Sequence, residues 1–254
     1  MIKGLYSAAS AMLAGLTRQN MLTHNLANID TPGFREILLS LDDFINTEVS
    51  SRPDFNYTRR ALPLGQLGLG VEISPEITNY EQGALKQTGE QFDVALQGAG
   101  FFQVQTPTGN RFTRDGRFAR DIDGNLVTID GYFVLDANAQ PLTVPEGGVS
   151  IAGDGTLADE TGAVVGQLGL FTFADPEAEL ARDGEQGNLF IATGNATADT
   201  ASTVVQGFLE SANINPAQLM TQMVAVNRAY EAAQRMVQVQ DELLGRAIST
   251  ISRL

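Results

Sequence analysis

The sequence predicts an α+β protein in which long N- and C-terminal helices pair as a coiled coil, with a β-rich body between them. Three observations predict it. Apolar residues recur at alternating steps of three and four at both chain ends. Short apolar runs punctuated by Asp-Gly and Gly-Asp turns fill the middle. Charge gathers away from the ends: residues 91–200 carry 16 acids and 5 bases, against 10 and 7 in 1–90 and 4 and 4 in 201–254. The net values are therefore -11 in the middle, -3 before it and 0 after it. An acidic middle keeps such a molecule soluble, and nearly neutral amphipathic ends suit packing against other protein chains.

The first segment places Ile2, Leu5, Ala9, Met12 and Leu16 at steps of 3, 4, 3 and 4, a seam on one helix face. Its opening, MIKGLYSAASAMLAGL, faintly suggests a signal peptide, but the helical pattern runs past any plausible cleavage site, so it is expected to be retained. The helix is expected to finish near Asn28. Thr31 precedes Pro32 and is pushed toward extended geometry, Gly33 readily takes left-handed angles, and Phe34 is an aromatic anchor. NLANIDTPGF is thus a helix stop and chain reversal.

Residues 36–90 form a mixed, extended connecting segment, with short strands expected around GVEISPEI and loop chemistry around SSRPDFNYTRRALPLG. From 91 to 206 the texture is that of an all-β body. Phe101, Phe102 and Val104 read as a strand, as do LVTI, YFVL, QLGLFTF and NLFIAT. From 207 the C-terminal coiled-coil helix follows the N-terminal piece, 1–35, as the second terminal element. Asn215 can cap it, Pro216 fits its first turn, and Gln218 completes a capping-box pattern. Leu219, Met223, Val226, Tyr230, Ala233, Val237, Gln240, Leu244, Ala247, Ile251 and Leu254 then alternate steps of 4 and 3, and only Gln240 breaks the apolar seam. A sustained 3.5-residue repeat argues for a coiled coil. At 1.5 Å per residue the seam runs roughly 50 Å, too long to hide against a body of this size.

Several function classes are excluded. A formal charge of -14 opposes nucleic-acid binding and docking on an anionic membrane. No apolar run reaches the roughly 18 residues needed to cross a bilayer. With no cysteine and His24 as the single histidine, thiolate and imidazole metal sites and Ser-His triads lack material. RDIDGNLVTIDG resembles a calcium loop only at its start, since Tyr132 stands where an EF-hand needs its bidentate Glu. Gly98 and Gly100 in LQGAGFF are half of a dinucleotide fingerprint, without the third Gly or the helix. No carboxylate pair is singled out for acid/base work. No catalytic, cofactor or metal site is expected, and the protein is expected not to be an enzyme. A cell-wall enzyme would need a cleft with a perturbed carboxylate. A coiled-coil adaptor with β head groups would show a fixed stoichiometry.

On these residues the sequence resembles the bacterial flagellar rod and hook family of axial proteins. NLANIDTPGF is similar to the family's N-terminal signature, and FDVALQGAGFFQV, RFTRDGRF and GNLVTIDGYFVL to the motifs of its β body. GFLESANINPAQLMTQMVAVNRAYEAAQ resembles the C-terminal signature, with Leu209, Glu210, Asn213, Asn215, Met223, Arg228, Tyr230 and Glu231 in the family's positions. Phe92 stands where Leu is usual and Ala212 where Ser is usual. The stretch LDDFINTEVSSRPDFNYTRRALPLGQLGLGVEISP resembles the distal-rod branch, while the opening MIKGLYSAASAM leans toward the proximal-rod branch.

The resemblance implies a structural subunit that leaves the cell unfolded through the flagellar type III export apparatus and stacks helically into a tubular drive shaft. It implies as partners copies of itself, other flagellar rod proteins and the hook protein, at the basal body in the cell envelope. The expected assembly interface comprises Ile2, Leu5, Ala9, Met12, Leu16, Asn25, Asn28, Pro32, Gly33 and Phe34 at one end. At the other it comprises Leu219, Met223, Val226, Tyr230, Ala233, Val237, Leu244, Ala247, Ile251 and Leu254. Seam residues stabilise only when buried, so the termini outside roughly 36–206 are expected to order on assembly.

Overall fold

The computed structural model describes residues 2–50, 63–184 and 188–251. Its first element is helix α1 (Ile2–Ala27), which ends where Pro32 and Gly33 forbid continuation. A four-residue helix, α2 (Pro176–Glu179), is capped by Asp175, whose side chain accepts from the Ala178 N–H. Helix α3 (Pro216–Ile251) begins at the proline that the first-turn rule anticipates and runs for 36 residues.

The chain divides into two units. One holds Met1–Leu26, Ile37–Ile77 and Pro216–Leu254; the other holds Ala27–Glu36 and Thr78–Asn215. The expected divisions after residues 35 and 206 fall inside the second unit, because Gly33 to Glu36 and Phe208 to Asn213 are hydrogen-bonded into it. In the first unit the segment expected to hold only short strands forms a two-stranded sheet of Ile37–Ser50 and Pro63–Thr78. The alternation of LGLGV at 67–71 is a period-two pattern that favours such pairing. Of the extended segment at 46–70, residues 51–62 lie outside the described residues.

The second unit is antiparallel throughout its described pairings. Its largest sheet has nine strands, with the Phe101–Thr106 strand between Gly109–Thr113 and Phe133–Val134, and Phe118–Arg120 at one edge. Successive side chains of a strand face opposite sides, and here both sides are covered. Phe102 and Val104 join a core with Val94, Leu96, Leu126 and Leu157. Phe101 joins a second cluster with Phe112, Phe173 and Phe190, where ring pairs meet edge to face at 5.1–5.9 Å. The paired Phe101 and Phe102 therefore supply one apolar side chain to each face. The acidic Asp121–Gly124 sequence is the hairpin turn between Phe118–Arg120 and Leu126–Thr128, with Gly124 at φ 86° and its N–H donating to the Asp121 carbonyl at 3.0 Å.

Candidate assembly interface

The residues after α1 descend into the β unit and are held there by groups from far along the chain. Gly33 sits at φ 69°, and a Cβ on it would lie 2.3 Å from the Arg114 carbonyl carbon, so both angle and space demand glycine. Its N–H donates to the Glu210 carbonyl at 2.7 Å. Phe34 is fully buried, and the Arg182 guanidinium lies 4.9 Å over its ring. The Pro32 carbonyl accepts from Asn188 Nδ2 at 3.0 Å.

Below Phe34 lies a buried ion network. Arg35 Nη1 meets Glu210 Oε1 at 2.8 Å, and Arg114 Nη1 meets Glu210 Oε2 at 3.2 Å, with all three side chains at most 2% exposed. Glu210 Oε1 also accepts from the Gly83 N–H, Arg114 Nη2 donates to the Gly98 carbonyl, and Arg35 Nη1 donates to the Glu81 carbonyl. Burial pushes the Arg114 pKa down to about 10 against the pull of Glu210, with Arg35 adding like-charge repulsion; burial lowers Arg35 as well. Two guanidiniums share one carboxylate, so each depends on it.

Asparagines tie the remaining backbone. Asn213 Oδ1 accepts from the Glu36 N–H at 2.6 Å, and its Nδ2 donates to the carbonyls of Asn79 and Glu81. The Asn79 N–H donates to the Glu36 carbonyl at 2.9 Å. In the helical unit, fully buried Asn25 bonds both the N–H and the carbonyl of Ile37. The signature asparagines therefore replace the backbone partners that the helix ends and chain reversals leave missing.

The two long helices run antiparallel: a Cβ on Gly4 would lie 2.2 Å from Gln240 Nε2, and one on Gly15 would lie 3.7 Å from the Tyr230 ring. The α1 face turned toward α3 carries small residues, with Gly4, Ser7, Ala8 and Ala11 lining a groove opposite Ala233 and Met236. Of the expected N-terminal interface, Ala9 and Leu16 are exposed, Met12, Asn28 and Pro32 half-buried, and Asn25, Gly33 and Phe34 buried. On α3, Leu219 and Val226 are buried, while Met223, Tyr230, Ala233, Val237 and Leu244 are half-buried. The side chains of Ile2, Leu5, Ala247 and Ile251, and all of Leu254, lie outside the described residues. Sequence reasoning missed Arg35, Arg114, Arg182, Asn79 and Asn188. The one available signal was that Arg35 directly follows the stop motif and Arg114 lies within RFTRDGRF.

Among the described residues no helix is long and apolar enough to cross a membrane, and no group of three His, Cys, Asp or Glu could hold a metal ion.

Comparison with known proteins bears on this arrangement. Family models match at both helices and in the sheet: "Flagella basal body rod protein" at residues 5–35, "Flagellar hook protein FlgE/F/G D1 domain" at 95–159, and "Flagellar basal body rod FlgEFG protein C-terminal" at 205–250. The flagellar basal-body rod protein FlgF of Mesorhizobium japonicum is 32% identical over 97% of each chain. The FlgG of Buchnera aphidicola subsp. Schizaphis graminum is 33% identical over 96% of this chain and 98% of its own. The FlgG of Bacillus subtilis is 28% identical over 98% and 99%. The matched ends are the segments that the Glu210 network and the paired helices join, and the chain belongs to the flagellar basal-body rod protein family.

Proposed function

We propose that the chain is a rod subunit of the distal, FlgG type, which self-assembles helically into the tubular shaft that carries torque to the hook. Members of the family are structural subunits, and the chain is not an enzyme. The observation that carries the assembly reading is apolar surface that one copy leaves uncovered on its helices. Tyr6 is 62%, Leu13 59% and Leu16 48% exposed on α1, and Met220, Val224, Val239, Leu243 and Ile248 are more than half exposed on α3. Such faces gain their stabilisation when neighbouring copies cover them. A helical stack uses heterologous contacts that do not close on themselves. Of the expected interface residues, Ala9 and Leu16 lie exposed and would meet neighbouring copies, whereas Asn25, Gly33, Phe34, Leu219 and Val226 are buried within the single copy and would serve stacking only by holding their own segments in place.

The proposed setting is the rod in the cell envelope, reached through the type III export apparatus. Its neighbours there are other copies, other rod proteins and the hook protein. The distal assignment rests on Leu62, Pro63, Gly65, Gly68, Gly70 and Val71 in the extended segment, whose second half lies in the paired strand Pro63–Thr78. A proximal position is favoured by the opening MIKGLYSAASAM and by the relatives named FlgF.

Electron microscopy of concentrated protein tests assembly: tubes from the full chain are expected, and a discrete small oligomer would refute the reading. Crosslinking in isolated basal bodies tests position. A product joining this chain to the hook protein is expected of a distal subunit, whereas coupling to rod proteins alone would assign it proximally.

A further inference from the structure

One polar residue interrupts the apolar seam of α3. Gln240 lies on the same less exposed helix face as Leu219, Val226, Tyr230, Ala233 and Val237, where a hydrophobic side chain is expected. Its side chain reaches the first turn of α1. A Cβ on Gly4 would lie 3.2 Å from Gln240 Cδ and 3.3 Å from Oε1, with Nε2 nearer still. The missing side chain at residue 4 is what lets the amide approach the α1 backbone. Gly15 is the contrast, since a Cβ there would meet the Tyr230 ring at an ordinary 3.7 Å.

Both sides of the Gly4 contact are short of a hydrogen-bond partner. Gln240 Oε1 is buried and accepts from nothing among the described residues. Helix α1 begins at Ile2, and the N–H groups of a first helical turn have no carbonyl one turn back to bond. Ile2, Lys3, Gly4 and Leu5 carry no acceptor side chain that could serve them. A buried acceptor without a donor is unfavourable, and here it stands beside donors that need an acceptor.

We propose that Gln240 caps the N-terminus of α1 from the partner helix of the same copy, its Oε1 accepting from a first-turn N–H beside Gly4. A cap acts only where a helix starts, so it fixes how far along α1 the second helix sits. The small residues Gly4, Ala8, Ala11 and Gly15 recur at steps of 4, 3 and 4, and a smooth repeating face fits at more than one register. A single polar residue in an apolar seam removes that freedom. The contact lies within one copy, so it stands or falls separately from the rod reading.

Hydrogen exchange on concentrated full-length variants tests the cap. Gln240→Met mends the apolar seam and keeps the side chain's length, but removes the acceptor. The amides of Lys3, Gly4 and Leu5 are expected to exchange about fivefold faster in it, the loss of a typical cap. A packing role alone predicts slower exchange instead. The glycines give a second reading, because Gly→Ala within a helix ordinarily stabilises it. Gly15→Ala is expected to raise the thermal midpoint of the helical signal. Gly4→Ala is expected to lower it, because the methyl displaces the amide, yet to raise it in the Gln240→Ala background. Unchanged or slower first-turn exchange in Gln240→Met, or Gly4→Ala stabilising the otherwise wild-type chain, overturns the cap. A wild-type first turn that exchanges at the rate of an unstructured peptide overturns it as well.

Discussion

Arg35, just beyond the N-terminal helix, and Glu210, just before the C-terminal one, meet at 2.8 Å with 1% and 0% of their side chains exposed. Removing the carboxylate strands both Arg35 and Arg114 in the interior. Glu210→Gln is expected to destabilise the β unit by about 3–5 kcal/mol, measured by urea unfolding followed by circular dichroism. The surface pair Arg246–Glu242, 75% and 64% exposed, is the contrast. Arg246→Ala should stay within about 0.5 kcal/mol.

Gly33 and Gly89 both hold left-handed angles, φ 69° and 77°, but only Gly33 has backbone where a Cβ would go. Gly89→Ala should cost about 1–2 kcal/mol, the strain of the angle alone. Gly33→Ala adds a collision with the Arg114 main chain and should cost more than about 3 kcal/mol. Equal midpoints for the two variants in urea would refute this account of the stop motif.

The helices are expected to respond to concentration. In dilute monomer the amides of α1 and of α3 beyond Leu219 should exchange within seconds to minutes, and in polymer they should be protected. Slow exchange in the monomer would show that one antiparallel pairing suffices. Leu13→Asp and Leu16→Asp, on exposed positions of α1, should abolish assembly while moving the β-unit midpoint by no more than about 0.5 kcal/mol.

Acid should weaken the turn after Thr156–Asp159. The Thr161 hydroxyl and the Ala163 N–H hold the Asp159 carboxylate below its ordinary pKa. A folded value below the unfolded one means the unfolded chain binds more protons. The contribution is therefore complete above the ordinary value of about 3.9 and lost as pH falls through the folded value. Titration of the Asp159 carboxyl by nuclear magnetic resonance should give a midpoint below that of a model peptide. Asp159→Ala should flatten the acid limb of the stability curve.

The C-terminal helix was legible because its signal is local: one long element, one apolar repeat, and a proline at its start. Leu219, Val226 and Tyr230 lie on the less exposed face that this repeat describes. On α1 hydropathy drew attention to Ala9, Met12 and Leu16, whereas the face turned toward α3 is made of Gly4, Ser7, Ala8 and Ala11. Small residues carry little apolar signal; their value is close approach, which is visible only once a second helix is present. Arg35 and Arg114 were harder still. A charged residue is ordinarily solvated, and nothing in the local pattern shows that Glu210 will neutralise it. The stop at Pro32 and Gly33 could be read as a reversal, but its docking against Arg114 depends on a strand far along the chain.

Four segments of backbone leave the β unit, at residues 27, 36, 78 and 215. Beside the inner ones, Glu36, Asn79 and Asn213 bond one another, with the Arg35–Glu210 pair adjoining them. A pull arriving through Phe34 or through Asn213 meets the same shared node before it reaches the sheet, so the load divides among several bonds instead of peeling one. The stop motif that looked like punctuation is, mechanically, an anchorage within the β unit.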